Sequence, residues 1–185
     1  MASLAQVTRP LTYEAYLRGP VISKRYEIIH GVMEFMSPAP SRIHQETLGE
    51  FHIFLVSHAR GWGKVYIAPF DVLITRHPLR TRQPDIFFVS KGRLAIVKDQ
   101  VVGGPDLVVE ILSPSNSRKA TIEKLADYAS IGVRECWMVD TDNRTLQTWR
   151  NEDGLFKPQV IYRIGKRVRS KVLPAFTLPS SVFPS

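Results

Sequence analysis

An apolar strand, a capped helix and a second apolar strand follow one another over residues 106–140, and this run most constrains the fold. The first strand, 106–112, is apolar except for Asp106 and Glu110. A loop and helix cap at 113–117 lead into a helix predicted over 118–131, which Gly132 ends. The second strand covers 134–140. Because the connection is short, the two strands must pair in parallel through a right-handed crossover.

The remaining segments predict a strand-rich chain with one further long helix. A hairpin over 26–35 turns at His30-Gly31, where glycine permits a positive φ. Apolar residues recur at helical spacing from Ser41 to about Arg60, and Thr12 caps a short helix at Tyr13–Arg18. Further strands are predicted at 64–75, 84–90, 145–150, 158–163 and 171–176, with a basic turn between the first two. The predicted fold class is α/β (α+β), with a mixed β-sheet flanked by helices, an N-terminal β-hairpin and C-terminal strands.

Length and composition indicate one globular domain over residues 1–185, with residues 1–10 frayed. The chain has 185 residues, of which 44% are apolar, and this ordinary apolar fraction argues against intrinsic disorder. The single Cys136 cannot form an internal disulfide, which is typical of a reducing cytoplasm. No apolar run reaches the roughly 20 residues of a membrane span. We therefore expect a soluble cytoplasmic protein with no membrane partner and no organic cofactor.

A surplus of positive charge favours a polyanionic partner. Lys and Arg total 25 against 17 Asp and Glu, for a net charge of +8. One basic group, Arg76, Arg80 and Arg82, leads into Asp85, and another occupies 157–171. Either these cations hold a nucleic-acid backbone or they form solvated faces of the protein.

Two carboxylates on apolar strands are the candidate functional groups. Asp85 follows Pro84 at the start of one strand, and Glu110 lies in the middle of another. A buried carboxylate is costly unless a cation or a donor compensates it, so the two acids could share one divalent metal if their strands pair. Asp106 lies roughly 13 Å from Glu110 along the same strand, too far to share an ion. The alternatives are that Asp85 caps a turn and that Glu110 forms a structural salt bridge.

Several ordered motifs carry a resemblance to a known family. They are Tyr-Glu-Ile-Ile-His-Gly at 26–31, Ser-Pro-Ala-Pro-Ser-Arg-Ile-His at 37–44, Gln-Pro-Asp-Ile at 83–86, Pro-Asp-Leu-Val-Val-Glu-Ile-Leu-Ser-Pro-Ser at 105–115 and Gly-Val-Arg-Glu-Cys-Trp-Met-Val-Asp at 132–140. Over roughly residues 10–180 the chain resembles a bacterial restriction endonuclease-like family of unknown function in the PD-(D/E)XK nuclease superfamily. The resemblance implies a restriction-endonuclease-like fold and metal-dependent hydrolysis of DNA.

The resemblance also implies a set of site residues. Asp85 and Glu110 would bind Mg²⁺ or Mn²⁺, and Glu27 and His44 match further polar positions of the family. The superfamily carries a lysine two residues after the second acid, where this chain has Leu112.

The missing lysine must come from another element if the protein is an active enzyme. Lys124 matches the family's lysine in Glu-Lys-Leu-Ala-Asp-Tyr. It lies at the edge of the buried apolar stripe of the predicted helix, which is formed by Ile122, Leu125, Tyr128 and Ala129. Lys119, on the same helix, could also reach the sheet. The alternative is that catalysis is impaired.

We therefore expect a Mg²⁺-dependent endodeoxyribonuclease that acts on DNA as a homodimer. The expected nucleic-acid contacts are Arg76, Arg80, Arg82 and Lys119. The alternative function is a weak or inactive nuclease-fold module that binds nucleic acid or serves in dimeric assembly.

Overall fold

The computed structural model describes residues 10–20, 22, 25–35, 40–112 and 117–184. Its helices are α1 (Tyr13–Leu17), α2 (Arg42–His58) and α3 (Arg118–Ser130), with short 3-10 turns at Lys91–Ile96 and Ser180–Val182. Its strands are β1 (Tyr26–Ile29), β2 (Val32–Phe35), β3 (Gly63–Ile67), β4 (Val72–Arg76), β5 (Leu79–Arg82), β6 (Ile86–Ser90), β7 (Val101–Val102), β8 (Leu107–Leu112), β9 (Glu135–Asp140), β10 (Thr145–Glu152), β11 (Leu155–Arg163), β12 (Arg167–Val168) and β13 (Phe176–Thr177). The mixed α+β class and the N-terminal hairpin are thus as predicted.

Serine and threonine caps set where the helices begin. The hydroxyl of Ser41 accepts from the amide of His44, 3.2 Å away, and Ser117 accepts from Ala120 at 3.1 Å. Thr12 caps α1 in the same way. Each oxygen satisfies an amide that has no partner inside its helix, so the predicted starts are confirmed.

The central sheet has six strands in the order β11-β10-β9-β8-β6-β3. Strands β8 and β9 pair in parallel, as the strand–helix–strand run predicts, and the other pairs in this sheet are antiparallel. Side chains alternate along β8, so Leu107, Val109 and Ile111 pack with α2 in one core, whereas Val108 packs with α3 in another. Glu110 shares the α3 face with Val108.

A second sheet, in the order β2-β1-β5-β4-β7, corrects the prediction of a single sheet. The predicted strand 64–75 is in fact β3 and β4, which belong to different sheets. Pro69 lies between them, and a residue without an amide donor interrupts a strand ladder. The predicted basic turn contains β5, which pairs with β1 and β4.

Smaller corrections concern the tail and the face of α3. The predicted strand at 171–176 is replaced by the pair β12 and β13. Ile122 was expected on the buried stripe of α3 but is 56% exposed. Residues 1–9 and 113–116, for which frayed and loop structure was expected, lie outside the described residues. Within the described ranges, none of the helices is long and apolar enough to span a membrane.

Candidate active site

The pairing of β6 with β8 brings Asp85 and Glu110 together. Ile86 pairs with Val109, so the antiparallel register places Asp85 opposite Glu110. The carboxylate of Asp85 accepts a hydrogen bond from the amide of Ile111 at 2.9 Å. Asp85 is 4% exposed and Glu110 is 5% exposed. The two predicted acids therefore occupy one buried site at the junction of two strands.

Lys124 reaches this site from α3. Its Nζ lies 2.8 Å from Glu110 Oε2 and 3.7 Å from Glu27 Oε1. The side chain of Lys119, by contrast, is 88% exposed and lies near Glu123. The helix therefore supplies an ammonium group beside the second acid, although Leu112 occupies the strand position where the superfamily has its lysine.

The hydroxyl of Tyr128 donates to the other oxygen of Glu110, a contact that the sequence analysis missed. Tyr128 was predicted only as a buried apolar residue. Lys124, Asp127 and Tyr128 are spaced i, i+3 and i+4, which places all three on one face of α3. This spacing of polar groups was the signal that could have revealed them.

Asp85 has two further partners. The guanidinium of Arg25, another residue missed from sequence, lies 3.4 Å from Asp85 Oδ1. His44, at the start of α2, places Nε2 3.4 Å from Asp85 Oδ2. Its Nδ1 is buried and has no hydrogen-bond partner in the described part of the chain. The structure therefore places His44 beside the predicted acids.

Glu27 joins the site to the second sheet. It is buried, and Glu27 Oε2 accepts from Arg82 Nη1 at 2.6 Å. Arg82 Nε also donates to Asp127 at 2.6 Å, and Arg80 donates to the same carboxylate at 2.8 Å. A chain of alternating charges thus runs from α3 through β5 and β1 and back to Lys124.

This network corrects the expected role of two arginines. Arg80 and Arg82 were predicted to contact nucleic acid, but both guanidinium groups bind buried carboxylates. A guanidinium held in this way cannot turn outward without leaving those carboxylates uncompensated. Arg76 is exposed and lies over the ring of Tyr13, with 4.8 Å between Cζ and the ring centroid.

The two acids have opposite electrostatic environments. Burial raises the pKa of Glu110, and the charge of Asp85 raises it further, while Lys124 opposes both effects. Burial acts in the same direction on Asp85, but His44, Lys124 and the Ile111 amide outweigh it and lower the pKa of that carboxyl. Burial disfavours the charge of Lys124, yet Glu110 and Glu27 raise its pKa above the ordinary value. Lys124 is therefore a cation at neutral pH and not a general base.

The donor chemistry fits a hard divalent cation. Asp85 and Glu110 offer carboxylate oxygens from adjoining strands, and Mg²⁺ typically takes one or two protein carboxylates and completes its shell with water and substrate. Among the described residues, no group of three or more His, Cys, Asp or Glu side chains is arranged to hold a metal. The mutual repulsion of the two acids is nevertheless what a shared cation would relieve.

Comparison with known proteins identifies the family. The sequence profile of the Uma2 family, described as "putative restriction endonuclease", matches residues 13–181. The chain belongs to the Uma2 family. The Uma2 match spans every candidate site residue named above, and it confirms the resemblance drawn from the motifs. None of the curated proteins matches the sequence.

A solved structure confirms the fold of this Uma2 protein. The crystal structure of "a putative nuclease belonging to DUF820" from Anabaena variabilis superposes with a TM-score of 0.76. The alignment covers 94% of this chain and 98% of that one, at 17% sequence identity. Such an identity shows a common fold alone. Membership of Uma2 supports a nuclease-like function, and restriction endonuclease-like proteins generally use divalent metals.

Proposed function

We propose that this protein is a Mg²⁺- or Mn²⁺-dependent endonuclease that hydrolyses phosphodiester bonds in DNA. The observation that carries the proposal is the 2.8 Å contact between Lys124 Nζ and Glu110 Oε2, within the same buried site as Asp85. Lys124 thus supplies, from helix α3, the positive charge that strand β8 lacks because position 112 is leucine. An acid pair with an adjacent lysine is the arrangement that the family resemblance implies.

Each residue of the site has a distinct task in this proposal. Asp85 and Glu110 would hold the metal, which when bound lowers the pKa of its water and offsets charge on the phosphate. Lys124 is a fixed positive charge that can bind a phosphate oxygen as negative charge develops. Tyr128 holds one oxygen of Glu110 and so fixes the orientation of that carboxylate. Arg25 adds a second positive charge beside Asp85.

Cleavage of supercoiled plasmid and linear duplex DNA tests the proposal directly. We expect cleavage with Mg²⁺ or Mn²⁺ and none with EDTA. Asp85→Asn and Glu110→Gln keep the side-chain volume but remove the charge, so each should lower the rate by at least about 100-fold. The matched controls are Asp99→Asn and Glu123→Gln, which alter exposed acids and should cleave like the wild type. Wild-type cleavage by either site variant would contradict the assignment.

The second candidate function is a nuclease-fold module without turnover. The observation that favours it is that Arg25 and Lys124 each form an ion pair with one of the two acids, which compensates the carboxylate charges. Calorimetric titration with Mn²⁺ separates the candidates. A metal enzyme should bind Mn²⁺ and lose that binding in Glu110→Gln, whereas an inert module should show no binding, or equal binding in both proteins.

We also propose that the protein works as a homodimer and that exposed Arg76 and Lys119 contact DNA. Strand β11 ends the six-stranded sheet and exposes Leu155, Val160 and Ile161, an edge that a second copy could pair with. Light scattering on the purified protein would measure the oligomeric state. A monomer at micromolar concentration would contradict the dimer without affecting the assignment of the acids.

A further inference from the structure

A second site lies at the opposite end of the β8–α3–β9 unit from the acids. An open cavity of about 380 Å³ is lined by Gly132, Val133, Arg134, Arg150, Asn151 and Lys171. These residues come from the turn after α3, from strand β10 and from the segment between β12 and β13. Three of the six are cations, and none of their ion pairs within the described ranges involves the candidate active site.

The cations of this cavity are incompletely neutralised. Within the described ranges, neither Arg150 nor Lys171 has a carboxylate within 4.0 Å of its charged nitrogens. Arg150 Nε is buried and has no hydrogen-bond partner among the residues that the structure describes. A buried donor without an acceptor is unfavourable, so this atom calls for an acceptor.

Two carboxylates lie near the cavity and do not cancel its charge. Asp106 is 3.3 Å from Arg134, but Arg93 also binds it. Glu135 accepts from the side chains of Trp137 and Ser170 and from the backbone amide of Lys171.

The carbonyl groups at the C-terminal end of α3 have a hydrogen-bond donor other than these cations. Both the Ala129 and the Val133 carbonyl oxygens accept from the side-chain amide of Asn151, at 3.1 and 2.9 Å. A helix C-terminus carries only about half a negative charge. The local surplus is two positive charges, because four cations face two carboxylates. The cations are Arg93, Arg134, Arg150 and Lys171, and the carboxylates are Asp106 and Glu135. This surplus exceeds what the helix end can offset.

We propose that this cavity binds a phosphate group. Guanidinium forks match the oxygens of phosphate in pairs, and an ammonium group adds a point charge. The phosphate could belong to a DNA backbone or be free in solution. Asp106, which contacts Arg134, lies roughly 13 Å along the strand from Glu110. That is about four steps along the axis of a duplex, so one DNA could occupy both sites. The DNA reading rests on the proposed function, whereas binding of a free phosphate does not.

The experiment uses two variants and one control. Arg150→Met and Lys171→Met remove charge and keep length, and Lys171 is exposed, so its substitution should not disturb folding. Lys98→Met is the control, because Lys98 is an exposed cation away from the cavity. Calorimetry measures binding of inorganic phosphate and of pyrophosphate. Fluorescence anisotropy in EDTA measures affinity for a labelled duplex from 50 to 200 mM salt, so a failure of catalysis cannot affect the result.

We expect both variants to bind phosphate or pyrophosphate at least about tenfold more weakly than the wild type. If the site binds the DNA backbone, a plot of the log of the association constant against the log of the salt concentration should also become less steep, by about one in slope, in each variant. Weaker phosphate binding with an unchanged slope would identify a free phosphate as the ligand. The proposal is overturned if the wild type binds neither anion and the slopes stay equal, or if Lys98→Met changes binding as much as the cavity variants.

Discussion

Replacing Lys124 with methionine tests the central contact of the candidate site. Methionine has a similar length and no charge, so within the described part of the chain Glu110 would remain buried with only the Tyr128 hydroxyl as a hydrogen-bond partner. At the observed 2.8 Å, the attraction between Lys124 and Glu110 is about 6 kcal/mol for an effective dielectric constant of about 20. Desolvation of both groups cancels much of this in the wild type, but it stays uncompensated in the variant. We expect the free energy of unfolding to fall by about 3–5 kcal/mol at pH 8.

The loss should depend on pH in a defined direction. Burial raises the pKa of Glu110 above its ordinary value of 4.5 in the wild type, and loss of Lys124 must raise it further. Between the ordinary pKa of 4.5 and the raised pKa of the folded variant, Glu110 is protonated in the folded variant and ionised in the unfolded chain. The stability of the variant therefore falls as pH rises through this range. The deficit relative to the wild type should be smaller at pH 5 than at pH 8.

Urea unfolding followed by tryptophan fluorescence measures these free energies in a double-mutant cycle. Lys124→Met/Glu110→Gln should be no less stable than Lys124→Met alone, with a coupling energy of about 2 kcal/mol. Lys119→Met, at an exposed position, should change stability by less than about 0.5 kcal/mol. Additive effects within about 0.5 kcal/mol, or a deficit that does not change with pH, would refute the buried ion pair.

Two further perturbations test other parts of the molecule. Asp106→Asn should cost about 2–3 kcal/mol at pH 7, since charged hydrogen bonds are lost. Burial favours the neutral form of Asp106, but the Ser90 amide and Arg93 outweigh burial and lower the pKa of this carboxyl below 3.8. The stability that the charged Asp106 contributes is therefore lost as pH falls through its folded pKa. Thermal melts should show that the difference in stability between the wild type and Asp106→Asn shrinks from pH 4 to pH 2. Gly104→Ala would place Cβ 2.4 Å from the Ile131 carbonyl oxygen and should cost about 1–3 kcal/mol in urea titrations, whereas Gly92→Ala meets open space and should cost much less.

Local patterns predicted the elements that build the site. Three local signals predicted β8, α3 and β9 to within about two residues. They are the apolar residues around Glu110, the serine caps and Gly132. Hydrophobic periodicity and capping act within a few residues of the chain, so they can be read from the sequence. The split of 64–75 was missed, although Pro69 was visible, since the second sheet forms through pairing with distant β1 and β7.

Ion-pair partners were much harder to predict than elements. The candidate acids, Lys124, Glu27 and His44 all lie in one buried cluster, but their chemical roles stay predictions. Arg82 was expected to face DNA and instead binds Glu27 and Asp127. A charged residue pairs with whichever opposite charge the fold brings near, and that choice is not encoded in its own neighbours along the chain.

The sequence by itself determined the family, the fold class and the two strands that carry Asp85 and Glu110, because motifs and periodicity are properties of short segments. Only the tertiary structure decided which lysine stands beside Glu110. Position 112 is leucine, so strand β8 does not supply the lysine. Helix α3, which connects β8 to β9, packs on the sheet and places the ammonium group of Lys124 beside Glu110. A site needs a charge at a point in space, and any element that packs over that point can supply it.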